Sequence, residues 1–404
     1  MSDRELSALT TLGFDELARF SSGIGQFQRA ISGRVFRAVG PGAALVRPLH
    51  EGITRGVYAG LGLSTRALGF AAGAAVDRHA ARRRAAGQPL ALPSATHPGA
   101  ALIGAIAGLT GDTLEEEGSP LAQPMAVRVG GEPVPVERGA LAAAFPAAAP
   151  RVVVFLHGLM ETEFSWGGRD GYGARLEREL GYTPVYVRYN SGLRISRNGR
   201  CLSELMDELV GAWPVEVERV ALVGHSMGGL VARSACHSGA EDGAAWVRLV
   251  KQSVSLGTPH MGAPLEQAVH VLSAGLAALP ETRPVANFLR RRSGGIRDLR
   301  QGSLVDADWR DKDPDALRAA ACAEVPLLEG ATHCFVSATV TRSDRHPVGR
   351  LIGDTLVLKP SATGRSRTRR IPFDEELGLH LGGAHHFALL NHRAVYEKLR
   401  VWLA

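Results

Sequence analysis

The stretch Arg219-Val-Ala-Leu-Val-Gly224-His225-Ser226-Met227-Gly228-Gly229-Leu-Val231 is the point from which the rest of the chain is read. The apolar run over Arg219–Val223 predicts a buried strand, and Met227–Ser238 predicts a helix. Between them stands Gly-x-Ser-x-Gly. Alone the pattern carries little information, but set between a strand and a helix it has a mechanical meaning. Gly224 and Gly228 leave room for a tight, strained turn that lifts Ser226 above the sheet. The first turn of the following helix has unpaired N–H groups, so the Met227 amide can face a developing oxyanion. Ser226 is the candidate nucleophile.

Outward from this turn, short apolar strands alternate with helical segments. Arg151–Leu156, Pro184–Tyr189, Val250–Leu256 and Cys334–Val340 read as strands. Tyr172–Leu180 and Cys201–Val210 read as helices, and Phe387–Leu403 as a closing helix. Before them, Met125–Val129 and Pro133–Val136 flank Gly130-Gly131, a hairpin signature because paired glycines supply the positive φ a tight turn demands. β-Branched strands separated by helices predict an α/β fold with a mostly parallel central sheet covered on both faces. The interval 262–330 has helical pieces but no clear strand and is expected to be a lid or cap insertion.

The strand Val152–Leu156 runs into His157-Gly158-Leu159-Met160. A loop there lies beside the nucleophile, and the Leu159 amide is expected to be the second oxyanion donor. His157 is expected to hold that loop through hydrogen bonds. It is kept with His260, Phe164 and Trp166 among the candidate substrate-lining residues, the last two as walls of an acyl pocket. A general base is expected after the serine in the chain, and His237, His260, His270, His333, His346, His380, His385, His386 and His392 all satisfy that order.

Taken together, His157-Gly158-Leu159, Gly224-His-Ser-Met-Gly-Gly229, Gly257-Thr-Pro-His-Met-Gly262 and the tail Ala384-His-His-Phe-Ala-Leu-Leu-Asn391 resemble the α/β-hydrolases. Within them, the likeness is to serine lipases and esterases related to bacterial triacylglycerol lipases and to the GPI-inositol-deacylase-like group. The resemblance runs from about Arg151 to Ala404 and implies the α/β-hydrolase fold. It implies a base directly before the last helix, which is His386, with His385 as the alternative. Gly353-Asp354-Thr355-Leu-Val357 with Ser361-Ala362 resembles the lipase pattern around the acid, which implies Asp354, with Asp344 as the alternative. Thr355 stands where that pattern has glycine. The implied activity is hydrolysis of a hydrophobic carboxylic ester through an acyl-enzyme. An acyltransferase, thioesterase or amidase would use the same three residues, and a non-catalytic scaffold would keep the fold alone.

The composition narrows the alternatives. Lys plus Arg number 46 against 40 Asp plus Glu, and four are lysines (Lys251, Lys312, Lys359, Lys398). The basic balance is an arginine habit without a nucleic-acid module, so no nucleic-acid partner is expected. With 45% hydrophobic against 21% charged residues, wholesale disorder is excluded. Acyl transfer by this chemistry needs no cofactor or metal, and no His-Glu-x-x-His or clustered ligand set is present. Four scattered cysteines form no disulfide framework. Residues 1–120 read as a Gly/Ala-rich helical extension to a catalytic domain at 121–404. Gly69/Gly73 and Gly104/Gly108 have the spacing that permits close helix approach. The N-terminal helices are candidates for peripheral membrane contact. The start lacks the basic and apolar regions of a signal peptide, so a cytoplasmic, membrane-associated location is expected.

Overall fold

The computed structural model describes residues 4–15, 46–86, 92–263, 292–313, 322–343, 345–366 and 369–404. The chain forms two compact units. The smaller comprises residues 1–96, 118–121 and 269–291, and the larger the remainder.

In the smaller unit, residues 5–15 (α1) are helical and Val46–Ala85 is a 40-residue helix (α2). The two meet where α2 has no side chain. A Cβ on Gly69 would come within 2.5 Å of Phe14 Cβ, and one on Gly73 within 2.8 Å of Thr11 Oγ1. The buried Glu5 carboxylate accepts hydrogen bonds from the Ser94 amide at 2.9 Å and its hydroxyl at 2.7 Å. Leu63, Leu68 and Phe70 are exposed on α2. Among the described residues no helix is long and apolar enough to cross a membrane.

The larger unit is built on an eight-stranded sheet, order β2-β1-β4-β3-β5-β6-β7-β8. The strands are β1 (Ala126–Val129), β2 (Glu132–Pro133), β3 (Arg151–Leu156), β4 (Thr183–Arg188), β5 (Arg219–His225), β6 (Val250–Leu256), β7 (Thr332–Thr339) and β8 (Gly378–Gly382). From β4 to β8 every pairing is parallel, and β1 joins β4 and β2 antiparallel. The expected hairpin forms, with Gly130 and Gly131 at φ 61° and 89°. The helices are α3 (His97–Glu116), α4 (Arg138–Ala144), α5 (Tyr172–Leu180), α6 (Ile195–Ala212), α7 (Met227–Glu241), α8 (Gly294–Asp298), α9 (Pro347–Ile352), α10 (Lys359–Ala362) and α11 (Arg393–Leu403). Alternate side chains of β3 and β5 enter two apolar cores on opposite faces. One holds Val152, Val154, Leu156 and Leu222 with α6 and α7, and the other holds Val153, Phe155 and Val223 with α5 and α11.

The structure differs from the sequence reading in three places. β8 is a strand that the sequence left unread, because Gly-Leu-His-Leu-Gly is short and glycine-bounded. It pairs parallel with β7 from Phe335↔Gly378 to Thr339↔Gly382. The closing helix is two pieces, a 3-10 turn at His386–Leu390 and α11. They are separated because His392 caps the second, its Nδ1 accepting the Ala394 amide at 3.1 Å. Third, the division read at residue 120 differs from the compact units, since α3 belongs with the sheet. Gly104, Gly108 and Gly111 of α3 lie against the loops after β3 and β4. A Cβ on Gly108 would stand 3.1 Å from the Met160 amide nitrogen and one on Gly104 within 2.9 Å of Thr162 Cγ2.

Between β6 and β7 the chain inserts the segment placed at 262–330 by the sequence, in the position of a lid. Of its described residues, 262–263, 292–313 and 322–330, the middle stretch is tied to α3 and to the start of α6. Ser293 Oγ donates to the Gly108 carbonyl at 2.6 Å, and the Gly294 amide to Asp112 at 2.8 Å. Buried Asp298 accepts from Arg194 at 2.6 Å and from the Ile195 amide at 2.8 Å. All four cysteines are free thiols.

Gly108→Ala should lower the unfolding free energy by about 1–3 kcal/mol, because the added methyl has nowhere to go. Gly139→Ala on exposed α4, where a Cβ meets nothing within 4 Å, should raise it by about 0.5 kcal/mol. Denaturant titration of the pair measures both signs.

Candidate active site

Ser226, Asp354 and His386 each follow the carboxyl end of a parallel strand, β5, β7 and β8 in turn. Ser226 stands between β5 and α7 at φ 51°, ψ −121°, a region that L-residues rarely occupy. Two close approaches require this turn. A Cβ on Gly224 would strike the Gly229 amide nitrogen, and one on Gly228 the Leu156 carbonyl, so neither position admits a side chain. The Ser226 amide donates to the Leu256 carbonyl at 2.8 Å, tying the turn to the end of β6.

Asp354 and His386 follow β7 and β8. His386 Nδ1 lies 2.7 Å from Asp354 Oδ2, and each side chain is 1% exposed. The His386 amide also donates to the Asp354 carbonyl at 2.8 Å, so the two loops are stitched through backbone as well as side chain. Asp354 Oδ1 accepts the amides of Leu356 at 3.0 Å and Val357 at 2.8 Å. With a carboxylate as its partner, His386 Nδ1 is the protonated nitrogen and Nε2 carries the lone pair. Nε2 is buried and has no hydrogen-bond partner among the described residues. Gly257 packs on the other side of the imidazole, where a Cβ would be 3.1 Å from Cε1. Thr355 takes φ 96°, so the chain adopts the positive-φ turn at the place where the resembled pattern has glycine. His385, next to His386 in the chain, is exposed. Asp344 lies outside the described residues.

The loop after β3 arrives beside the serine, since a Cβ on Gly158 would be 3.0 Å from Ser226 Cβ. The amides of Leu159 and Met227 have no hydrogen-bond partner among the described residues, whereas the Met160 amide donates to Ser191 Oγ at 3.1 Å. His157 is wholly buried. Its Nδ1–H donates to the Gly158 carbonyl at 2.8 Å, its Nε2 accepts the Tyr189 amide at 3.2 Å, and its ring stacks on Tyr189 at 4.3 Å. Burial keeps this imidazole below its ordinary pKa. It holds the loop and offers no surface to a substrate.

Two other substrate-lining expectations meet a different environment. Trp166 has no exposed surface and packs on Phe155 at 4.9 Å, so it is a core residue and not a pocket wall. Phe164 lies between Arg188 and His97, with ring centroids 5.3 Å apart in the latter contact. There it lines a cavity of about 400 Å³ with Arg128, Phe145 and Tyr186. His260 is buried after β6, where Arg233 Nη1 faces its Nδ1 at 3.5 Å and Arg369 donates to its carbonyl at 2.6 Å. Burial, then Arg233 and Arg369, hold its pKa well below the ordinary value. Asn190 and Asn198 bond loop backbone: Asn190 Nδ2 donates to the Gly111 carbonyl and Asn198 Nδ2 to the Asn190 carbonyl.

Sequence reasoning missed Glu161 and His225. Glu161 lies three residues after Gly158 and His225 directly before the serine. Their spacing along the chain gave no reason to pair them, and only the fold brings them together, at 2.9 Å.

A family model described as PGAP1-like alpha/beta domain matches residues 200–307. Lipase BlEst2 of Bacillus licheniformis in its propeptide form is similar, with 18% identity, a TM-score of 0.43, and coverage of 64% of this chain and 51% of that one. The match thus spans about half of that relative. The mature form gives 20% identity and a TM-score of 0.42, covering 70% and 99% of the two chains. A hyperthermophilic esterase of Pyrobaculum calidifontis gives 16%, 0.37, 63% and 76% for the same quantities. No curated protein sequence matches. The parallel sheet with its strand–turn–helix at Ser226 has the form of an α/β-hydrolase fold.

Proposed function

We propose that this protein is a serine carboxylic-ester hydrolase acting on hydrophobic esters through an acyl-enzyme. The observation that carries the reading is the buried 2.7 Å contact between His386 Nδ1 and Asp354 Oδ2, which leaves Nε2 free in the tautomer a general base requires.

Ser226 Oγ attacks the ester carbonyl while His386 Nε2 takes its proton. Asp354 fixes the tautomer and stabilises the imidazolium. The amides of Met227 and Leu159 receive the oxyanion, whose negative charge is met by donors already in place. Collapse breaks the bond to the alkoxide, which leaves as alcohol with the proton from His386. Water then gives its proton to His386 and its oxygen to the acyl carbon. The acid is released and Ser226 regains its proton. No step calls for a cofactor or metal.

The insertion at 262–330 is assigned as a lid, with residues 264–291 and 314–321 lying outside the described residues. The exposed Leu63, Leu68 and Phe70, on a helix whose last turn carries Arg82 and Arg83, are assigned to peripheral membrane contact. In the same reading, α1 and α2 serve as a lipid-facing extension in the cytoplasm. Transfer of the acyl group to another alcohol, thiol or amine uses the same residues and differs only in the acceptor.

Ser226→Ala should abolish hydrolysis of a p-nitrophenyl ester series from acetate to palmitate without changing the thermal unfolding midpoint. Turnover by the variant would sink the mechanism. His386→Ala should cost at least about 10³-fold in kcat, and His385→Ala less than about tenfold. The reverse order in steady-state rates would move the base to His385.

A further inference from the structure

We propose that Glu161 and His225 form a second buried carboxylate–imidazole pair, a positioning strut that locks the oxyanion loop and the base loop to the nucleophile turn. The proposal rests on the hydrolase reading for its catalytic consequence, but its geometry stands apart from it.

Glu161 has two contacts, one on each side of the serine. Its Oε2 accepts the Gly158 amide at 2.9 Å, which fixes the loop carrying Leu159. Its Oε1 lies 2.9 Å from His225 Nδ1. His225, wholly buried, reaches across to the third element with Nε2, which is 3.3 Å from the His386 carbonyl. One continuous chain of bonds therefore runs from Gly158 through Glu161 and His225 to His386. It ties the loop after β3, the end of β5 and the loop after β8.

The protonation state follows from the partners. A carboxylate and a carbonyl are both acceptors, so both His225 nitrogens must carry protons to satisfy them. Burial opposes charge on this ring, but Glu161, the His386 carbonyl and Asp354 together leave its pKa raised. Burial likewise opposes charge on Glu161, and His225 with the Gly158 amide leaves its pKa lowered. The remaining faces of His225 meet the ring of His386 at 4.7 Å, Phe387 at 6.2 Å and the edge of Trp166 at 6.4 Å. A lone imidazolium there would oppose protonation of His386 during attack. Paired with Glu161 it adds no net charge. The strut thus gives rigidity to donor and base without biasing the base electrostatically.

Glu161 touches neither substrate nor reacting atoms in this scheme, so its loss should appear in kcat and not in KM. Glu161→Gln keeps the size and removes the charge. His225 then keeps only one N–H, and one end of the strut is released. We expect kcat for p-nitrophenyl butyrate to fall about 10- to 100-fold with KM within about twofold, the scale of a slightly misplaced oxyanion donor. The rate of fluorophosphonate labelling at Ser226 should fall in parallel. Nitrogen-15 spectra of the full chain at pH 6.5 should show two ring N–H signals for His225 in the wild type and one in Glu161→Gln. Unchanged kcat per folded molecule, or a rise in KM alone, overturns the positioning role. A singly protonated His225 in the wild type overturns the strut even where the variant does not fold. If the wild type neither hydrolyses the ester nor takes the label, the hydrolase reading fails and takes the catalytic consequence with it. The spectrum still judges the pair.

Discussion

The backbone of Ser226 occupies a conformation that costs about 1–3 kcal/mol, and the surroundings must over-determine it. They do so with closely packed backbone. Gly224 and Gly228 let the turn close on α7 and on the end of β3, and the Leu256 carbonyl holds the serine amide from β6. Met160 in the neighbouring loop is also at positive φ, 62°, so strain is shared by both loops that face the serine. Parallel strands make this possible: their carboxyl ends lie side by side, so five loops arrive within reach of one point.

What could be read from the sequence was whatever a local pattern carries. β-Branched runs marked β3, β5 and β6, and the strand–Gly-x-Ser-x-Gly–helix order marked the turn, because period and spacing express burial and geometry directly. The candidates Asp354 and His386 came from resemblance, and the structure brings them into contact although 32 residues separate them. What could not be read depends on partners far along the chain. β8 has too little apolar character to declare itself and is defined by pairing with β7. Trp166 follows the loop after β3 in sequence, yet Phe155 and the sheet draw its ring into the core. Glu161 looks like an ordinary loop carboxylate until His225 is placed opposite it.

Two buried charged groups of the larger unit are each met by an opposite charge. Arg188 is held by Glu163 at 2.6 Å inside the unit, and Asp298 by Arg194 and the first amide of α6. Burial pushes Asp298 up to about 6, and the guanidinium opposes that shift. Removing one partner of such a pair leaves a charge stranded away from water, which costs about 3–5 kcal/mol. The network that lashes 292–313 to α6 and α3 is therefore structural as much as local.

The three glycines on one face of α3 are more than a packing detail. They make His97–Glu116 the back wall of the loop that carries Leu159, although composition alone groups this helix with the N-terminal extension. A chimera that grafts a foreign leader onto the sheet must therefore carry this helix along. A junction placed after it would leave Met160 and Asn190 without the surface they were shaped against.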